Sequence, residues 1–175
     1  MLAETERVSA SQLAQDFSDW LEESSASNVQ HKPKAAKPGA FFTVGENEVS
    51  FDYGRAASLI HSGLSGAHLD SLVTLFGLPK KEALSAALKS NNTHVWRLAK
   101  GDKLIQGNTV EQILRTMQLQ LLATTVFGRV EFARQWLQKA HPSLEGMSPA
   151  DYADNEYAAQ KVRGILAALR YGGVV

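Results

Sequence analysis

The five histidines of this 175-residue chain are the first place to look for chemistry. His31, His61, His68, His94 and His141 stand apart. None forms an H-x-x-x-H pair or sits beside an acid pattern that would complete a zinc or proton-transfer site. His61 and His68 are seven residues apart, but the glycines of Ser62-Gly63-Leu64-Ser65-Gly66 break the helix that would align them. That stretch reads as a turn rather than a nucleophile elbow, and the chain has no phosphate-binding loop or S-x-x-K pattern. The absence of cysteine removes disulfides, thiolate zinc sites and cysteine nucleophiles together. The expectation is a non-enzyme that needs no metal or cofactor.

What remains is chemistry of recognition. The formal net charge is zero but unevenly spread. Residues 1–23 hold six acids against Arg7, residues 24–40 hold three lysines and no acid, and residues 79–103 hold six bases against Glu82 and Asp102. Only the last of these combines positive charge with a strong helical pattern, which makes it the candidate for an acidic partner such as DNA. Two short helices joined across "LKSNNTH" have the outline of a helix-turn-helix. Leu84, Leu88, Val95 and Leu98 fall at the spacing that locks such helices together, and Ser85 is small where they approach. The turn of that motif favours a glycine with positive φ, where this chain has Lys89, and the apolar residue that normally follows is Ser90. Ser90 or Asn91 can cap the second helix instead. Its early exposed residues are then Asn91, Asn92, Thr93 and Trp96 or Arg97; Asn pairs with adenine and Arg with guanine. Lys89 and Lys100, with Lys80, Lys81 and Lys103, would neutralise phosphates.

The elements that must position these groups are almost all helical. "VSASQLAQDFSDWLEESSAS" sets Leu13, Phe17, Trp20 and Leu21 on one face, with Ser9 or Ser11 to cap it. The Ser, Lys and Pro content of "SSASNVQHKPKAAKPG" marks a linker, so this acidic helix reads as tethered rather than integral, the alternative being an accessory helix that packs on its own domain or on a dimer mate. A small hairpin is expected from Phe41–Val44 and Glu48–Phe51 around Gly-Glu-Asn. From Tyr53 helices follow one another. One, from Ser65 to Gly77, holds Leu69, Leu72, Val73 and Phe76 on one face. A longer helix, closed by Gly128, faces Ile113, Leu114, Met117, Leu121 and Leu122 inward. The next buries Phe132, Trp136 and Leu137, and the last lines up Ala158, Val162, Ile165, Leu166 and Leu169. The fold class is all-α, in three parts: an N-terminal extension (1–52), the helix-turn-helix region (53–118) and a C-terminal helical domain (119–175). A chain of this length buries about 70% of its unfolded surface, enough for a core without staples.

Near the C-terminus, "HPSLEGMSPADYADNE" concentrates turn chemistry. Pro142 ends the preceding helix by forcing His141 out of the α region. Leu144 is a lone apolar plug. Ser148-Pro149-Ala150-Asp151 supplies a capping hydroxyl, a proline at the first helical position and an acid at the third. Asp154 is expected to cap the last helix, with Glu156 favoured at its positive end. The stretch reads as a structural corner.

In the order VFG (Val126 to Gly128), Ala133 with Trp136-Leu137, P-x-L-x-G-x-x-P (Pro142 to Pro149), the Asp154-x-Glu156 helix start and Tyr171-Gly172, residues 124–175 resemble the toxin-binding domain of the Xre/MbcA/ParS antitoxins. The stretch from Leu59 to Met117 is similar to that family's Xre-type DNA-binding region, departing at Lys89 and Ser90. Residues 1–52 have no counterpart in the resemblance. It implies a type II antitoxin that occludes the active site of an NAD-consuming RES-domain toxin and represses its own operon, as a homodimer or larger toxin–antitoxin assembly. It also implies a C-terminal plug, matched here by Arg170, Tyr171, Gly172, Gly173, Val174 and Val175. The glycines would end the helix and leave two apolar side chains at a flexible tip.

Two other readings stay open. One is a stand-alone helix-turn-helix transcriptional regulator whose C-terminal domain dimerises. The other is an antitoxin without DNA binding, whose N-terminal extension holds a partner or shields the basic segment. No run approaches the ~20 apolar residues of a membrane span and no signal peptide is visible, so the cytoplasm is the expected compartment.

Overall fold

Phe17 and Leu21 of the first helix are completely buried, and that fact organises the N-terminal half of the molecule. The computed structural model describes residues 8–26, 40–45, 49–80, 83–100 and 104–172, leaving aside the side chains of Ala26 and Asn92. Helix α1 (Ala10–Ala26) starts where Ser9 Oγ accepts from the Gln12 amide, 3.2 Å away. It packs on a two-stranded antiparallel hairpin, β1 (Phe42–Val44) and β2 (Val49–Phe51), in which Val44 pairs with Val49. The Phe17 ring lies 6.0 Å from that of Phe42 and 6.2 Å from that of Phe76. Ser18 Oγ donates to the Ala14 carbonyl and accepts from the Phe42 amide, so α1 and β1 share one hydroxyl. Trp20 Nε1 donates to the His68 carbonyl at 3.0 Å and to Ser71 Oγ at 2.8 Å. Of the two readings of this helix, the tethered one does not hold and packing on its own domain does. Its apolar face finds its partner in the same chain, and the linker residues between, 27–39, lie outside the described residues.

Asp52 caps α2 (Tyr53–Ser62) by accepting from the Arg55 amide. A two-residue strand β3 (Leu64–Ser65), a 3-10 turn (Gly66–His68) and the short α3 (Ser71–Leu75) follow. The continuous helix expected from Ser65 to Gly77 is broken because Ser65 Oγ caps the 3-10 turn and Leu64–Ser65 pair with β4 (Leu104–Ile105) instead. Helices α4 (Ala83–Ala87) and α5 (Asn92–Ala99) come next.

The long α6 (Asn108–Phe127) is the spine of the fold. Val110, Ile113, Leu114, Met117 and Leu121 belong to a first core that takes in α1, the hairpin and α2 to α5. Leu119 and Ala123 belong to a second core, shared with α7 (Val130–Gln138), α8 (Pro149–Tyr152) and α9 (Glu156–Arg170). Gly128, at φ +74°, ends α6 in the left-handed region that favours glycine. Phe132 is half-exposed under Arg129 rather than buried; Val130 and Ala133 fill the core position instead. The fold is mostly helical with two short two-stranded pairings. No helix among the described residues is long and apolar enough to cross a membrane.

Candidate functional site

The corner between α7 and α9 is built residue by residue as its turn chemistry requires. His141 (φ −121°, ψ 130°) is extended, and its Nδ1 accepts from the Ser143 amide at the start of a 3-10 turn, Pro142–Leu144. Leu144 is fully buried in the second core. Glu145 (φ +59°) and Gly146 (φ +79°) then reverse the chain in left-handed conformations. Ser148 Oγ accepts from the Asp151 amide at 3.1 Å and donates to Asp151 Oδ2 at 2.7 Å, a reciprocal cap at the start of α8. The cap of α9 is Asn155, whose Oδ1 accepts from the Ala158 amide at 3.0 Å, and not Asp154. Asp154 Oδ1 accepts from the Asn155 side chain, and the Asp154 carbonyl accepts from Arg115.

Helix α9 is anchored to α6 by charge as well as by its apolar face. Glu156 pairs with Arg163, and its other oxygen lies 3.7 Å from Arg115 Nε. Arg163 donates to Gln118 Oε1 at 3.1 Å, and Gln118 Nε2 donates to the Tyr53 hydroxyl at 3.3 Å. Buried Arg115 also pairs with Glu111 and donates to Gln112 Oε1 at 2.6 Å. At the far end of α9 the Tyr171 amide bonds to the Ala167 carbonyl, and Gly172 turns at φ +72°. Tyr171 is 77% exposed and Leu169 36%, so the apolar stripe runs out before the helix does. Arg170 and Tyr171 end α9 together; Gly173, Val174 and Val175 lie outside the described residues.

The second candidate region is the turn between α4 and α5. Leu84, Leu88, Val95 and Leu98 are all buried, as their spacing requires. Lys89 takes φ +50°, the conformation for which glycine would be the ordinary choice. Asn91 caps α5 by accepting from the Thr93 amide at 2.8 Å. Thr93, Arg97 and Lys100 are exposed, with Arg97 bonded to the His94 ring at 3.1 Å. The side chain of Asn92 is not described, and Lys81 and Lys103 lie outside the described residues. Lys89 Nζ reaches across to α8, 3.2 Å from Asp151 Oδ1 and 3.3 Å from its carbonyl. The Asp151 carboxyl is held below its ordinary value, first by the Ser148 hydroxyl and next by Lys89.

Arg134 makes a third link, from α7 to the first core. Its guanidinium lies over Gly77 and donates to the Leu75 carbonyl at 2.8 Å, capping α3. Burial lowers its pKa from the ordinary value. Sequence reasoning passed over Arg115, Gln118, Arg134 and Arg163 because polar residues on a helix ordinarily face water. The only available signal was the density of Gln and Arg on the buried sides of α6. Among the described residues, no three His, Asp or Glu side chains converge as a metal site would need.

The fold defines a mostly helical protein whose last helices form a compact corner on a shared spine. Residues 122–172 match the family model of the antitoxin Xre/MbcA/ParS C-terminal toxin-binding domain, the family that the motifs from Val126 to Gly172 resemble. The match supports an antitoxin role in a toxin–antitoxin system, with a toxin protein as partner. No curated protein matches the chain.

Proposed function

We propose that this protein is a type II antitoxin that occludes the active site of an NAD-consuming RES-domain toxin. Its plug is the segment from Arg170 to Val175. The observation that carries this reading is the toxin-binding family match over residues 122–172, which ends at the exposed end of α9. The capped corner and the links from Glu156 to Arg115 and from Arg163 to Gln118 hold α9 against α6, so that its end is presented in a fixed direction. The α4–α5 unit serves as the helix-turn-helix that binds operator DNA through Lys89, Asn91, Asn92, Thr93, Arg97 and Lys100. In support, the four locking residues are buried and Lys89 adopts the positive φ that the motif's turn demands.

The test is co-expression with the product of the adjacent gene, purification through a tag on one member and measurement of NAD. Co-purification with NAD preserved, and NAD loss when this chain is omitted, is the expected result. Deleting residues 171–175 should relieve inhibition and leave the melting temperature unchanged. Full inhibition by the truncated protein would refute the plug. Sequence-blind, weak mobility shifts with the upstream DNA would refute operator binding, leaving the toxin-binding role alone.

A further inference from the structure

A groove of about 260 Å³ runs between the N-terminal hairpin and the last turns of α9. Its floor is apolar, from Leu122 and Val126 of α6 and Leu166 and Ala167 of α9, and its two lips are Tyr53 and Tyr171. Tyr53 is 68% exposed but held in place. Its ring meets Phe51 edge-on at 5.1 Å, and its hydroxyl accepts from Gln118, which is itself bonded to Arg163. A large aromatic side chain fixed in the free protein loses little rotamer freedom on binding, and such tyrosines are enriched among residues that dominate interfaces. The Tyr53 hydroxyl proton remains to be donated to an acceptor on a partner.

The volume argues for the kind of occupant. It lies at the lower edge of the ~300 Å³ at which small-molecule pockets begin, and an open groove of this size suits one or two protein side chains. Most of the lining lies within residues 122–172, the toxin-binding segment, and one lip, Tyr171, belongs to the first part of the proposed plug. The other lip and Val49 belong to the hairpin region, well outside that segment.

We infer that the toxin docks on this groove as well as on the tail. It inserts an apolar side chain between Tyr53 and Tyr171 and offers a carbonyl or carboxylate to the Tyr53 hydroxyl. This inference rests on the toxin-binding reading of residues 122–172. It assigns the hairpin end of the chain a part in partner recognition.

The experiment measures the affinity of the full-length chain for the purified product of the adjacent gene, with Tyr53→Ala, Tyr53→Phe and Ala167→Glu variants. Ala167 is exposed on the groove floor, so a glutamate there fills the groove without touching the core. Tyr53→Ala and Ala167→Glu should each weaken binding about tenfold or more, and Tyr53→Phe a few-fold, with the melting temperature of Ala167→Glu unchanged. Unchanged affinity in Ala167→Glu, while the wild type binds, would overturn the groove and leave the toxin-binding reading standing. No binding by the wild type would overturn both. A shift in the oligomeric state of the chain alone, without change in toxin affinity, would assign the groove to a second copy and overturn the inference.

Discussion

Phe17→Ala is the perturbation that most directly tests how the N-terminal helix is held. The side chain is fully buried, and truncating a buried phenylalanine costs about 3–5 kcal/mol through lost transfer energy and the cavity left behind. Its tilted contact with Phe42 and edge contact with Phe76 put it in the upper part of that range, since each such pair adds ~0.5–1.5 kcal/mol. A loss of about 4 kcal/mol corresponds to a fall in Tm of roughly 8–16 °C for a domain of this size. Urea unfolding followed by tryptophan fluorescence provides the assay, because Trp20 on the same helix reports the local environment while Trp96 and Trp136 report elsewhere. The expected result is one cooperative transition with a lower midpoint and an unchanged slope. A change below about 0.5 kcal/mol, the size expected of a surface position, would refute the packing of α1 into the first core.

Gly77→Ala would place a Cβ 2.3 Å from the Arg134 guanidinium carbon at a left-handed φ of +64°. Strain of ~1 kcal/mol and a disturbed Arg134–Leu75 bond should together cost about 3 kcal/mol in chemical denaturation. In an Arg134→Ala background only the strain should remain, and additive losses would refute the contact. Because the Asp151 carboxyl is depressed, its contribution to the corner is fully present above the unfolded-state pKa and is lost as pH falls through the lower folded-state value. Protection of the amides at the start of α8, relative to their intrinsic exchange rates, should therefore fall only in acid, and Ser148→Ala, which removes the largest cause of the depression, should move that onset to higher pH. Lys89→Val should destabilise by about 1–2 kcal/mol in thermal melts, since a β-branched residue resists φ +50°.

The parts of this fold legible in the sequence are those decided by short-range chemistry. Ser148 and Pro149 start α8 as read, Gly128 stops α6, and the locking leucines of α4 and α5 are buried where spacing puts them. Errors arose where a distant surface decides. Leu13, Phe17, Trp20 and Leu21 announce a face to be covered but not what covers it, and the Lys- and Pro-containing stretch that follows suggested separation. Leu169 and Phe132 continue the periodicity of their helices past the point where the core ends, so they are exposed. Asn155 rather than Asp154 caps α9, while Asp154 accepts from the Asn155 side chain, and helical periodicity does not count loop residues. The candidate plug was legible only through resemblance. The groove beside it was not, because Tyr53 and Tyr171 are brought together by the fold across most of the chain.

The placement of α6 bears on how this protein can be divided. The family match begins at residue 122, inside the last two turns of that helix. A fragment cut there would lose Leu119 from its own core along with Arg115 and Gln118, the groups that hold Glu156 and Arg163. A fragment begun at Asn108 would keep them but carry Val110, Ile113, Met117 and Leu121 into water with nothing to cover them. Grafting a foreign toxin-binding end onto this chain meets the same obstacle, because any junction inside α6 joins two faces that were fitted to different neighbours. The smallest portable unit is therefore set by the helix shared between two cores, and for this chain it is close to the whole.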